Sequence, residues 1–241
     1  MKPGKLFIGV FAALFLTAGC VSMDKREADP EKAAQIYADL GLQYLRQGNL
    51  ELARVKLERS LELEGKNADA HHYIAEVYKQ LGNRELALQH YSKAVRYDAD
   101  NPMLLNNYGA FLCEQGRLKE AEEYFLQAAH LPTYRTPELA YENLALCALQ
   151  TEHPETAEAY FRKALQIRPS LPKSLYQMAL ISYQQGEYLS ARAFIERFHA
   201  IGRTAQSLKL GIRIEEALGA EAAADKYRKL LSTRFPDAAQ E

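Results

Sequence analysis

Two cysteines, Cys113 and Cys147, stand 34 residues apart, and thiols at that spacing have two fates. In an oxidising compartment they can form a disulfide. Otherwise they are two small buried side chains with unreacted thiols. The six histidines offer less. His71, His72, His90, His130, His153 and His199 do not fall with cysteines or carboxylates at a metal-ligating helical spacing. His71 and His72 are adjacent, so on a helix they point about 100° apart, and one packed ring beside one exposed ring is expected. Phosphate-loop, Gly-x-Gly-x-x-Gly and Gly-x-Ser-x-Gly patterns are absent from the sequence. Nothing here predicts an enzyme, a cofactor, a metal or a small-molecule substrate.

The third cysteine has a different chemistry. Lys2 and Lys5 precede an apolar run from Leu6 to Leu16, and Leu16-Thr17-Ala18-Gly19-Cys20 follows. The run is shorter than the roughly 20 residues a spanning helix needs, and it fits the core of a secretory signal. Small residues before a cysteine resemble a bacterial lipobox, although Thr17 stands where leucine is usual. Residues 1–19 are therefore expected to be removed, leaving Cys20 acylated at the new N-terminus. Several acyl chains give durable membrane attachment where one is reversible. Val21 in place of aspartate implies, by resemblance to Gram-negative sorting, the periplasmic face of the outer membrane. Ser22 to Pro30 is short and polar, so residues 20–33 read as a flexible tether.

The elements that must carry these residues announce themselves by period. Ala53, Ala87, Ala121, Ala157, Ala191 and Ala224 are spaced 34, 34, 36, 34 and 33 residues apart. A period near 34 is the signature of helix–turn–helix tetratricopeptide repeats. The expected fold is all-α, a right-handed superhelical solenoid over residues 34–241. Its repeats start near 34, 68, 102, 138, 172 and 205. The eighth position of each of the first five is small (Gly41, Ala75, Gly109, Ala145, Ala179), and the twenty-fourth is large (Leu57, Tyr91, Phe125, Phe161, Ile195). Large against small lets the two helices interlock.

A turn glycine occupies the fifteenth position at Gly48, Gly82, Gly116, Gly186 and Gly219. Repeat four has Glu152 there, followed by His153-Pro154, and its turn is expected to differ. Repeat six is degenerate. Ala222-Ala223-Ala224 allows a one-residue slip, and Arg228 falls where an apolar residue belongs, as in a polar capping unit. Thr133 to Pro137 adds two residues between repeats three and four, which reads as a longer loop at a bend.

Repeat solenoids act through surfaces. The second, fifth, ninth and twelfth residues of each first helix are expected to line the concave groove. Repeat one places Gln35, Ala38, Leu42 and Leu45 there; repeat two Asp69, His72, Glu76 and Lys79; repeat three Met103, Asn106, Ala110 and Cys113. Repeat four gives Leu139, Glu142, Leu146 and Leu149, and repeat five Lys173, Tyr176, Leu180 and Tyr183. Ala38 and Leu42 replace the first two residues of a carboxylate clamp. An apolar groove with polar punctuation suits a partner with an apolar segment. Leu42, Leu45, Met103 and Asn106 are the expected contacts, with His72 and Lys79 fixing register. The alternative is that Leu42, Leu45, Leu146 and Leu149 are covered by curvature or by a neighbouring repeat. With a net charge of −1 and no basic stripe, nucleic acid is not an expected partner.

The chain as a whole resembles the PilF/PilW-type lipoproteins of type IV pilus biogenesis. The likeness rests on the lipobox, all the repeats, Asn106-Asn107-Tyr108-Gly109-Ala110-Phe111-Leu112-Cys113, Pro132 to Pro137, and Glu142-Asn143-Leu144-Ala145-Leu146-Cys147. The resemblance implies a six-repeat pilotin at the outer membrane. Such a protein binds the secretin subunit, delivers it to that membrane and promotes its assembly into a ring. A tetratricopeptide lipoprotein of β-barrel assembly is the alternative, although only Phe235-Pro236 approaches that family's repeat ends. A scaffold for cell-wall synthesis enzymes is another.

Overall fold

The computed structural model describes residues 29–239; the signal segment, Cys20 and most of the tether lie outside the described residues. Twelve α-helices follow one another in this span. They form six pairs: α1 (Pro30–Arg46) with α2 (Leu50–Leu63), α3 (Ala68–Gln80) with α4 (Arg84–Tyr97), and α5 (Pro102–Glu114) with α6 (Leu118–His130). Then come α7 (Pro137–Gln150) with α8 (Pro154–Ile167), α9 (Pro172–Gln184) with α10 (Tyr188–Ile201), and α11 (Ala205–Ala217) with α12 (Glu221–Arg234). Each helix packs on its successor, and first helices of neighbouring repeats also touch. This is the expected tetratricopeptide solenoid.

Local signals set the helix ends. Asn49, Asn67, Asn83 and Asn101 cap α2 to α5, their side chains accepting backbone N–H bonds of the first turn. Proline opens α7, α8 and α9, where its missing N–H is harmless. The first helix starts at Pro30 and is capped by Asp29, so residues 30–33, read from sequence as tether, continue the helix of repeat one.

The large-against-small rule holds at atomic detail. Leu57, Tyr91, Phe125, Phe161 and Ile195 are all buried, and so is every one of the six repeat alanines. A Cβ on Gly109 would meet the Phe125 ring at 3.1 Å, and one on Gly211 would meet the Tyr227 ring at the same distance. Gly211 and Tyr227 keep the sixteen-residue spacing of Gly109 and Phe125. Repeat six keeps its register, with Ala224 buried and Gly219 at the turn; only the large residue is displaced, from 228 to the half-buried Tyr227, and Arg228 ion-pairs with Glu216, Glu221 and Asp225.

Repeat four corrects one expectation. Glu152 adopts φ 61°, the left-handed conformation of the five turn glycines, whose φ values run from 69° to 79°. Its turn therefore matches the others, because the interhelix packing imposes the conformation on a residue that does not favour it. The inserted residues fall between α6 and α7, where Tyr134 packs against the core of repeats two to four.

Candidate functional site

The first helices carry more than a groove; they are laced together by polar side chains that reach from one repeat to the next. Gln35 donates to Asp69 at 3.3 Å and accepts from Asn67 at 3.3 Å. Asn107 donates to His72 Nε2 at 3.0 Å. Asn143 donates to Asn106 at 3.1 Å. Glu142 accepts from the backbone and hydroxyl of Ser174, at 3.1 and 2.6 Å, and Arg168 pairs with buried Glu138 at 3.1 Å. These bonds satisfy polar groups that stacking would otherwise strand from water.

His71 and His72 correct the one-in, one-out expectation: they are only 4% and 8% exposed. Neighbouring elements supply a partner on each side. His71 Nε2 lies 3.1 Å from the Gly65 carbonyl, which can only accept, so that nitrogen carries the proton. Its Nδ1 then accepts from Nδ1 of His90 at 2.9 Å. His72 receives the Asn107 bond on an unprotonated Nε2. Burial lowers the pKa of both rings, outweighing nearby Glu76 and Asp69 in the case of His72. His90 is lowered to about 4 by burial and by His71.

The expected contacts are distributed rather than gathered. Leu42 is half-buried and lines a groove with Asp39, Gln43, Arg46 and Gln47, all on α1 or at its end. Leu45 packs against the core of repeats one and two. Met103 is the freest, 65% exposed. Asn106 is engaged by Asn143, and Lys79 ion-pairs with Glu76 at 3.2 Å and Glu114 at 3.4 Å. His72 and Lys79 thus serve the joint between repeats two and three. Leu146 and Leu149 pack against the core of repeats four and five.

Cys113 and Cys147 are brought together as a disulfide, with Cα atoms 5.6 Å apart on α5 and α7. That span suits a bridge, and it joins two positions that differ by two within their repeats. Gln150 stands beside Cys113 at 3.3 Å.

A second groove, only partly anticipated from the sequence, opens at repeats four to six. It encloses about 510 Å³ and is lined by Leu146, Tyr176 and Phe198, with Pro172, Lys173, Gln177, Thr204 and Gln206 around them. The Tyr176 and Phe198 rings are 5.8 Å apart and tilted. Leu146, Lys173 and Tyr176 fall on it by repeat position. Phe198 and Thr204 come from the end of a second helix and the following turn, where repeat position carries no signal.

Comparison with known proteins fits this architecture. Tetratricopeptide repeat models match residues 38–102 and 100–170. A Pseudomonas aeruginosa protein described as type IV pilus assembly protein PilF is 36% identical over 235 residues, 93% of this chain and 93% of its own. A solved structure of Pseudomonas aeruginosa PilF superposes with a TM-score of 0.74 at 36% identity, covering 88% of this chain and 96% of that one. The structure of PilW, described as a widely conserved type IV pilus biogenesis factor, gives 0.71 at 29% identity over 86% of this chain and 96% of that one.

Proposed function

Because this chain belongs to the PilF family of tetratricopeptide-repeat proteins of type IV pilus assembly, we propose that it acts there as a pilotin. In this reading Cys20 is acylated and holds the protein at the periplasmic face of the outer membrane. The solenoid binds the secretin subunit through the groove of the early repeats and promotes its multimerisation. The observation that carries the reading is likeness along the whole length: one relative matches over 93% of both chains, so the repeats share order and number as well as type.

Physical chemistry makes the task reasonable. A secretin subunit crosses an aqueous space with membrane-destined strands unpaired, and such edges aggregate. Half-buried Leu42 on repeat one and exposed Met103 on repeat three offer apolar cover. Confining both proteins to one membrane surface raises their effective concentration without new contacts.

The experiment is an immunoblot of unheated membrane extracts from a deletion strain. Secretin should run as monomer, and surface pili should be lost. Complementation with Leu42→Asp should restore the protein but not the multimers. Normal heat-stable multimers in the deletion strain would remove the pilotin assignment.

A further inference from the structure

From the groove at repeats four to six we infer a second docking site, for an extended peptide that presents a large apolar side chain next to a carboxylate. Its volume of about 510 Å³ is that of a ligand pocket, enough for a few residues. Leu146, Tyr176 and Phe198 supply an apolar floor with two aromatic rings. Large rigid rings of this kind anchor peptides at little entropic cost.

The rim selects what accompanies the apolar side chain. Lys173 is the one charged side chain lining the groove, it is exposed, and no carboxylate among the described residues pairs with it. The buried carboxylate of neighbouring Glu142 is already taken by the Ser174 backbone and hydroxyl. A cation beside an apolar floor is complementary to an acidic group, and that complementarity gives specificity. Gln177 and Gln206 also line the groove, and their amides make no hydrogen bond to the described protein. Each amide can both donate and accept. That pair suits the unsatisfied N–H and C=O groups of an extended backbone; a helix satisfies its own.

This site goes beyond the secretin reading, and its test needs no secretin. A hexapeptide phage library is selected on the full chain, and the enriched peptides are synthesised and titrated by fluorescence anisotropy. The expected consensus is Phe, Tyr, Leu or Ile beside Asp or Glu. Lys173→Glu should weaken the best peptide at least tenfold with helical content unchanged, since Lys173 is exposed. Replacing the peptide's acid by its amide should do the same to the unaltered protein. Lys173→Gln should lie between. No enrichment over a scrambled pool, enrichment without an acidic preference, or binding that survives Lys173→Glu would each overturn the inference. So would self-association that Lys173→Glu dissolves, because a second copy would then be the occupant.

Discussion

Gly41 lies under Leu57 so closely that a methyl group on it would sit 2.4 Å from Leu57 Cγ. Helix propensity alone makes Gly→Ala favourable by about 1 kcal/mol. Here overpacking a buried leucine should prevail, at about 1–3 kcal/mol. Gly41→Ala is therefore expected to lower stability in chemical denaturation. An unchanged or higher midpoint would show that Leu57 moves aside freely.

Glu152 holds a backbone conformation that five glycines hold elsewhere. A left-handed L-residue costs about 1–2 kcal/mol, so Glu152→Gly should stabilise the protein by about 1 kcal/mol. Glu152→Ala should give no such gain, because it retains a Cβ. Equal midpoints for the two variants would refute strain at this turn.

The bridge between Cys113 and Cys147 should be present in periplasmic material. Alkylation under denaturing, non-reducing conditions should label neither thiol until a reductant is added. Replacing both by alanine should cost about 2–4 kcal/mol, the usual range for a loop of this size, with helical content kept. Two thiols that label freely would leave plain core packing.

Acid should weaken the fold before its carboxylates protonate. His90 and His199 are each held at about 4, chiefly by burial, below the ordinary 6.5. Between those pH values the unfolded chain binds the protons that the folded one refuses, so stability is full above about 6.5 and falls as pH drops toward 4. The denaturation midpoint should decline over that window, and less steeply in His90→Gln. A flat profile, or a variant that declines as much as the parent, would exclude the His71–His90 pair as a source.

Cys20→Ser should leave thermal unfolding of the repeats almost unchanged, because their core is built without it. Fractionation should find the variant soluble or at the inner membrane. Undiminished recovery with the outer membrane would end the lipid-anchor proposal.

The repeat core was legible because it is periodic. Ala53 and Leu57 differ in size for the same reason that Ala157 and Phe161 do, and the pattern recurs until Tyr227 steps one place aside. The burial of both adjacent histidines was not legible. Whether His71 is buried depends on Gly65 and His90, which lie in other elements and at no repeat interval. The later groove was half legible, for the same kind of reason. Tyr176 obeys the position rule, whereas Phe198 reaches the groove from the end of α10. The bend residues told only of a longer loop; that Tyr134 closes it into the core required the packing itself.

The covalent link between α5 and α7 has a mechanical consequence. Contacts in a repeat stack are between neighbours, so it comes apart from its ends, unit by unit. A load applied at the N-terminal end would peel α1 with α2, then α3 with α4, breaking the Gln35 and His72 bonds in turn. At repeat three the peeling would meet a rivet, because α5 cannot leave α7 while Cys113 and Cys147 are joined. The later repeats would then keep their shape while the early ones are extended, so the two grooves would differ in their resistance to pulling.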